Sequence, residues 1–90
     1  MSDSSDDQGQ CETSYRNYLA DLGFLVKEAA LKAKEHKYKE TKGSEAHIYE
    51  TGRLMAFSFI IGLMQQQAEA FGIPLQDLRL EDIDPDKDLL

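Results

Sequence analysis

The sequence predicts an all-α fold: a long antiparallel helical hairpin, closed by a short C-terminal helical strap and assembled as a dimeric helix bundle. Apolar residues recur at helical spacing over two long stretches, and a polar, glycine-containing segment separates them. The second stretch, Leu54-Met55-Ala56-Phe57-Ser58-Phe59-Ile60-Ile61-Gly62-Leu63-Met64, is apolar around most of its girth. An ordinary surface helix hides a stripe of roughly 100°, whereas a step of about 100° per residue spreads these side chains over roughly 260°. A single neighbouring helix covers only part of that arc. The remainder predicts self-association or a partner.

Residues 1–12 hold Asp3, Asp6, Asp7 and Glu12, no positive charge, and no aliphatic residue after Met1. They cannot build a core and read as a disordered acidic tail ahead of one domain over 13–90. The first helix is expected over 14–36. Its residues Tyr15, Tyr18, Leu19, Leu22, Leu25, Val26, Ala29, Ala30 and Ala33 fall within roughly 140° of one face. Thr13 or Ser14 suits the N-cap, and lysines crowd the last turns, where positive charge complements the helix dipole. Phe24 and Leu31 share the opposite face and mark a second contact.

The segment 37–44 loses the apolar repeat and contains Gly43, so it is expected to turn, with Ser44 capping a second helix over 45–71. That helix ends at Gly72-Ile73-Pro74: glycine takes the left-handed position after the helix, Ile73 packs back, and proline resists continuation. His47, Thr51, Ser58, Gln65 and Glu69 lie within an arc of about 40° and form the expected solvent stripe. The apolar residues divide into two sides. Ile48, Gly52, Ala56, Phe59, Leu63 and Ala70 make one; Leu54, Phe57, Ile60, Ile61, Met64 and Phe71 make the other. The first helix can cover only one of them, so the oligomer or partner interface is expected at Phe24, Leu31, Leu54, Phe57, Ile60, Ile61 and Met64. The strap, 74–90, offers Leu75, Leu78, Leu80 and Ile83 as anchors, and Asp84-Pro85 reads as a cap with proline at the first helical position.

Ninety residues, 41% hydrophobic, suffice for one small domain with a marginal core of its own, which oligomerisation would reinforce. The net charge of -7 is concentrated at the two ends, while lysines make the middle locally basic. Overall acidity disfavours nucleic acid and favours a basic protein partner, with Asp82, Asp84, Asp86 and Asp88 steering its approach. The longest apolar run is too short to span a bilayer, so no membrane role is expected. The N-terminus lacks the basic and apolar regions of a signal peptide. A single Cys11 cannot form an internal disulfide and suits a reducing compartment, so the expected location is the cytoplasm.

No motif carries chemistry. The alternation Asp82-Ile83-Asp84-Pro85-Asp86-Lys87-Asp88 begins like a calcium loop but lacks the glycine and the closing glutamate. Cys11, His36 and His47 do not share metal-ligand spacing, and neither HExxH nor Glu-x-x-His occurs. Ser58 lies inside an apolar helix, without a glycine-rich loop to cradle a phosphate. No catalytic residue, metal site or cofactor is therefore expected. The expected function is a non-enzymatic, acidic protein-interaction module of adaptor, inhibitor or toxin-neutralising type that self-associates through its second helix. The alternatives are a ligand-binding helical bundle, its pocket lined by Phe57, Phe59, Met64 and Phe71, and a purely structural homo-oligomer.

Overall fold

Two long helices pack against each other in the computed structural model, which describes the backbone of residues 4–90 and the side chains from residue 12 onward. α1 spans Ser4–Lys39 and α2 spans Glu45–Ala70. A 3-10 turn over Leu75–Leu78 and a π-type turn over Pro85–Leu89 follow in the strap. No strand occurs among the described residues. Of the expected acidic tail, residues 1–3 lie outside the described residues, as does the side chain of Cys11. From Ser4 onward the backbone is already helical, ten residues before the expected start. Acidic, proline-free sequence suits the first turns of a helix, and extending an existing helix is far easier than nucleating one.

The ends of α2 follow from local chemistry. Ser44 adopts an extended conformation, and its Oγ accepts the His47 N–H at 3.2 Å, which supplies one of the partners that the first helical turn lacks. Gly43 precedes it at φ 85°, in the left-handed region that the tight turn requires. At the far end Gly72 sits at φ 69°. The Ile73 N–H donates to the Ala68 carbonyl at 2.8 Å and the Gly72 N–H to the Glu69 carbonyl at 3.1 Å, the paired bonds of a Schellman stop. Ile73 then packs on the core.

Between the helices, Ala30 and Ala33 of α1 are completely buried with Leu54, Ile61 and Ala68 of α2. The end of α1 stands beside the start of α2, where His36 Nδ1 is 3.9 Å from Glu50 Oε1. Glu50 also accepts from the Arg53 guanidinium at 3.0 and 3.3 Å, so its buried carboxylate is well supplied with donors. At the opposite end Leu19 lines an apolar hollow with Ala68 and Phe71.

The strap completes this core. Leu78, Leu80, Ile83 and Leu89 are all buried, and Leu80 and Leu89 are among the largest side chains fully removed from solvent. It reaches them by lying almost against the backbone of α1. A Cβ placed on Gly23 would fall 1.8 Å from the Leu78 carbonyl oxygen. One turn further along α1, the Lys27 ammonium donates to the Arg79 carbonyl at 2.9 Å and to Asp82 Oδ1 at 2.8 Å. Arg79 closes the 3-10 turn in the left-handed region at φ 57°. Its guanidinium lies 5.8 Å from the centroid of the Phe24 ring, a cation–π contact that helps hold the uncommon backbone conformation. Lys34 Nζ donates to the Asp88 carbonyl further on.

Glycine in a helix interior ordinarily costs about 1 kcal/mol relative to alanine. At Gly23 the sign should reverse. Gly23→Ala is expected to destabilise the protein by about 2 kcal/mol, because the added methyl must displace the strap and expose its leucines. Urea denaturation checks the sign, and hydrogen exchange at the amides of Leu78 and Leu80 checks the location.

Candidate functional site

Of the polar stripe expected to face solvent on α2, Glu69 is exposed, whereas Ser58 and Gln65 receive the strap. Ser58 is 5% exposed, with its Oγ 3.4 Å from the Pro85 carbonyl as hydrogen-bond donor. Gln65 Nε2 donates to the carbonyls of Leu80 and Ile83 at 3.0 and 2.8 Å. The physical reason lies in the strap's irregular backbone: the Leu80 and Ile83 carbonyls lie outside its helical turns and require side-chain donors when they are covered. Thr51 instead donates to the His47 carbonyl at 2.8 Å, within α2. His47 accepts the Gly43 N–H at Nδ1, 3.4 Å away, and so belongs to the interhelical turn.

The expected interface residues separate into three groups. Leu54 and Ile61 correct the sequence reading: at 1% and 0% exposure they are already consumed by the chain's own core, because α1 and the strap take that side of α2. Phe57 and Met64 are half-buried and pack on the edge of the core. Phe24, Leu31 and Ile60 remain exposed, with Phe24 beneath Arg79. The side of α2 containing Ile48, Phe59 and Leu63 is left open to solvent.

Two apolar surfaces result. The first is the face of the hairpin away from the strap. Tyr18, Leu22 and Leu25 lie on the flank of α1 turned away from Gly23 and Lys27, and Ile60 and Phe71 lie on the flank of α2 turned away from Ser58 and Gln65. Leu25 is 53% exposed and Phe71 75%. Between these flanks, Phe57 and Met64 extend the apolar surface inward. Arg53 lies 5.6 Å from the Phe57 ring centroid and 5.8 Å from that of Tyr49, so the loop end of this face also presents aromatic rings and a guanidinium.

The second surface is a groove between the outer side of α2 and the strap. Met55, Phe59, Gly62 and Leu63 contribute from α2, and Ile83, Pro85 and Leu90 from the strap. Carboxylates of Glu69, Glu81, Asp84 and Asp86 rim it. The four aspartates expected to steer a partner therefore have different surroundings. Asp82 is engaged by Lys27, whose hydrogen bond, aided by its charge, holds the carboxyl below the usual aspartate range. Asp84 accepts the N–H groups of Asp86 and Lys87 at 3.0 and 3.3 Å, the expected cap of the Pro85 turn. Asp88 Oδ2 reciprocates by accepting the Asp84 N–H at 2.8 Å. Asp86 alone of the four stands at the groove with no partner for its carboxylate among the contacts described.

The sequence pattern missed Phe59 and Leu63 as surface residues, and Ser58, Gln65 and Gly23 as strap contacts. Only Gly23 carried a usable signal, as an isolated glycine in an otherwise good helix. No three potential metal ligands converge among the described residues, and none of the described helices is long and apolar enough to cross a membrane. Comparison with protein-family models, curated proteins and solved structures gave no match.

Two outcomes follow. Ser58→Asp should destabilise folding by roughly 2 kcal/mol or more, since a carboxylate would enter a covered position facing a carbonyl oxygen; thermal and urea melts measure it. The Asp82 carboxyl titrates lower in the folded chain than in the unfolded one, so its contact with Lys27 contributes stability above about pH 4 and loses it as pH falls through the depressed value. The gap in denaturation midpoint between wild type and Asp82→Asn should accordingly be present at neutral pH and close in acid.

Proposed function

We propose that this protein is a non-enzymatic interaction module that works as a homodimer, with the open face of an antiparallel hairpin packed on the same face of a second copy. The carrying observation is the apolar surface formed by Leu22, Leu25, Ile60 and Phe71, continuous with the half-buried Phe57 and Met64. Contacts at the two hairpin ends, His36 with Glu50 and Leu19 beside Ala68, support the antiparallel arrangement. Two such layers stacked face to face make a four-helix bundle, the arrangement in which paired apolar flanks are ordinarily hidden.

The energetics favour this assembly. Each large apolar side chain removed from water contributes about 1.5 to 3 kcal/mol before the costs of association and ordering. A few from each copy suffice for a stable dimer. In a two-fold dimer every contact of one residue with another is repeated with the copies exchanged, so one apolar patch serves both partners.

The dimer leaves the acidic groove outside. The functional class best supported is an adaptor, inhibitor or toxin-neutralising protein that engages a basic partner through electrostatically assisted encounter. A cytoplasmic location fits this reading. The apolar hollow beside Leu19, Met64, Phe71 and Ile73 is the feature that favours a ligand-binding bundle instead, and a small molecule retained in native mass spectrometry would support that alternative.

Light scattering tests the assembly. The wild-type chain should have twice its monomer mass of 10.2 kDa at micromolar concentration. Ile60→Asp should be monomeric while retaining the helical circular dichroism of the wild type, because Ile60 is a surface residue of the folded hairpin. A monomeric wild-type protein would reject the homodimer.

A further inference from the structure

We infer that the groove between α2 and the strap receives a basic amphipathic helix from another protein. This deepens the interaction-module reading by naming a second surface and the chemistry of its partner. From Met55 to Glu69 the groove follows α2 for about 21 Å, enough to seat roughly four turns of helix. Its wall on α2 carries Met55, Phe59 and Leu63 beside the amides of Gln65 and Gln66, with Phe59 71% exposed and Met55 59%. Gly62 lines it without a side chain, and the space above it is open: a Cβ added there meets no other heavy atom within 4 Å.

The rim determines the sign of the occupant. Glu69, Glu81, Asp84 and Asp86 border the groove, and none of the residues lining it is lysine, arginine or histidine. A helix with apolar residues at i, i+3 or i+4, and i+7 can place that stripe along Phe59, Gly62 and Leu63. Lysines or arginines on its edges then meet the carboxylates. A second copy presenting the same groove brings another set of carboxylates against these, and that repulsion acts against self-association here. The groove and the dimer face are therefore assigned to different occupants. Because the strap forms one wall, docking also depends on its attachment at Gly23 and Lys27.

The test is selection from a displayed library of helical peptides, randomised at apolar-face and edge positions, on the immobilised full chain. Selected peptides should carry an apolar stripe flanked by lysine or arginine. A synthetic copy of a selected peptide should lose at least tenfold in affinity with Gly62→Leu, which fills the open space above Gly62 and replaces glycine with a better helix former. The triple variant Glu69→Gln, Glu81→Gln, Asp86→Gln should weaken binding similarly and flatten its salt dependence. These are surface changes that leave the core intact. No enrichment, enrichment of acidic peptides, or affinity unchanged by these variants would overturn the proposal. Conversion of a dimer to a monomer by Gly62→Leu would also overturn it by giving the groove to a second copy. A wild-type monomer that binds basic peptides in this groove would reject the proposed dimer and retain the docking site.

Discussion

The organisation of this protein depends on one constraint: α2 is apolar around more of its circumference than a single helix can cover. α1 covers the side containing Leu54 and Ile61, and the strap covers an adjoining side at Ser58 and Gln65. Two exposed surfaces remain, one continuing onto α1 at Leu25 and the other bordered by strap carboxylates. Their different surroundings suit them to different neighbours. In the proposed assembly the apolar face shared by two helices meets a copy of itself, whereas the acid-rimmed groove repels one.

The strap is structural, although it contains neither α-helix nor strand. Four of its side chains enter the core, and its backbone groups are satisfied by donors on both helices. Lys27 and Lys34 reach it from α1, and Ser58 and Gln65 from α2. Such a segment can be covered only where polar side chains project toward it at the right positions. The close approach at Gly23 fixes where it crosses α1. Position along the helix thus couples a glycine on one side of the molecule to the wall of a groove on the other.

Local chemistry was legible in the sequence. Ser44, Gly72-Ile73-Pro74 and Asp84-Pro85 act at their expected places because caps and stops depend on residues a few positions apart. The all-helical hairpin was legible for the same reason, through the spacing of apolar side chains. Which apolar side of α2 would be covered was not, since both have similar residues and the choice depends on packing with α1. The roles of Ser58 and Gln65 were also hidden: a polar side chain has the same helical phase whether it meets water or a strap carbonyl. The groove was not visible at all, because its walls are separated in the chain and meet only after the strap docks.

The assignment of the open hairpin face is tested most directly by isotope-filtered nuclear Overhauser measurements on a mixture of labelled and unlabelled full-length chains. Contacts between copies should involve methyl groups of Leu22, Leu25, Ile60 and Met64, while Met55 and Leu63 show contacts only within their own chain. Contacts between copies centred on Met55 and Leu63, or none at a concentration where the dimer is expected, would contradict the account.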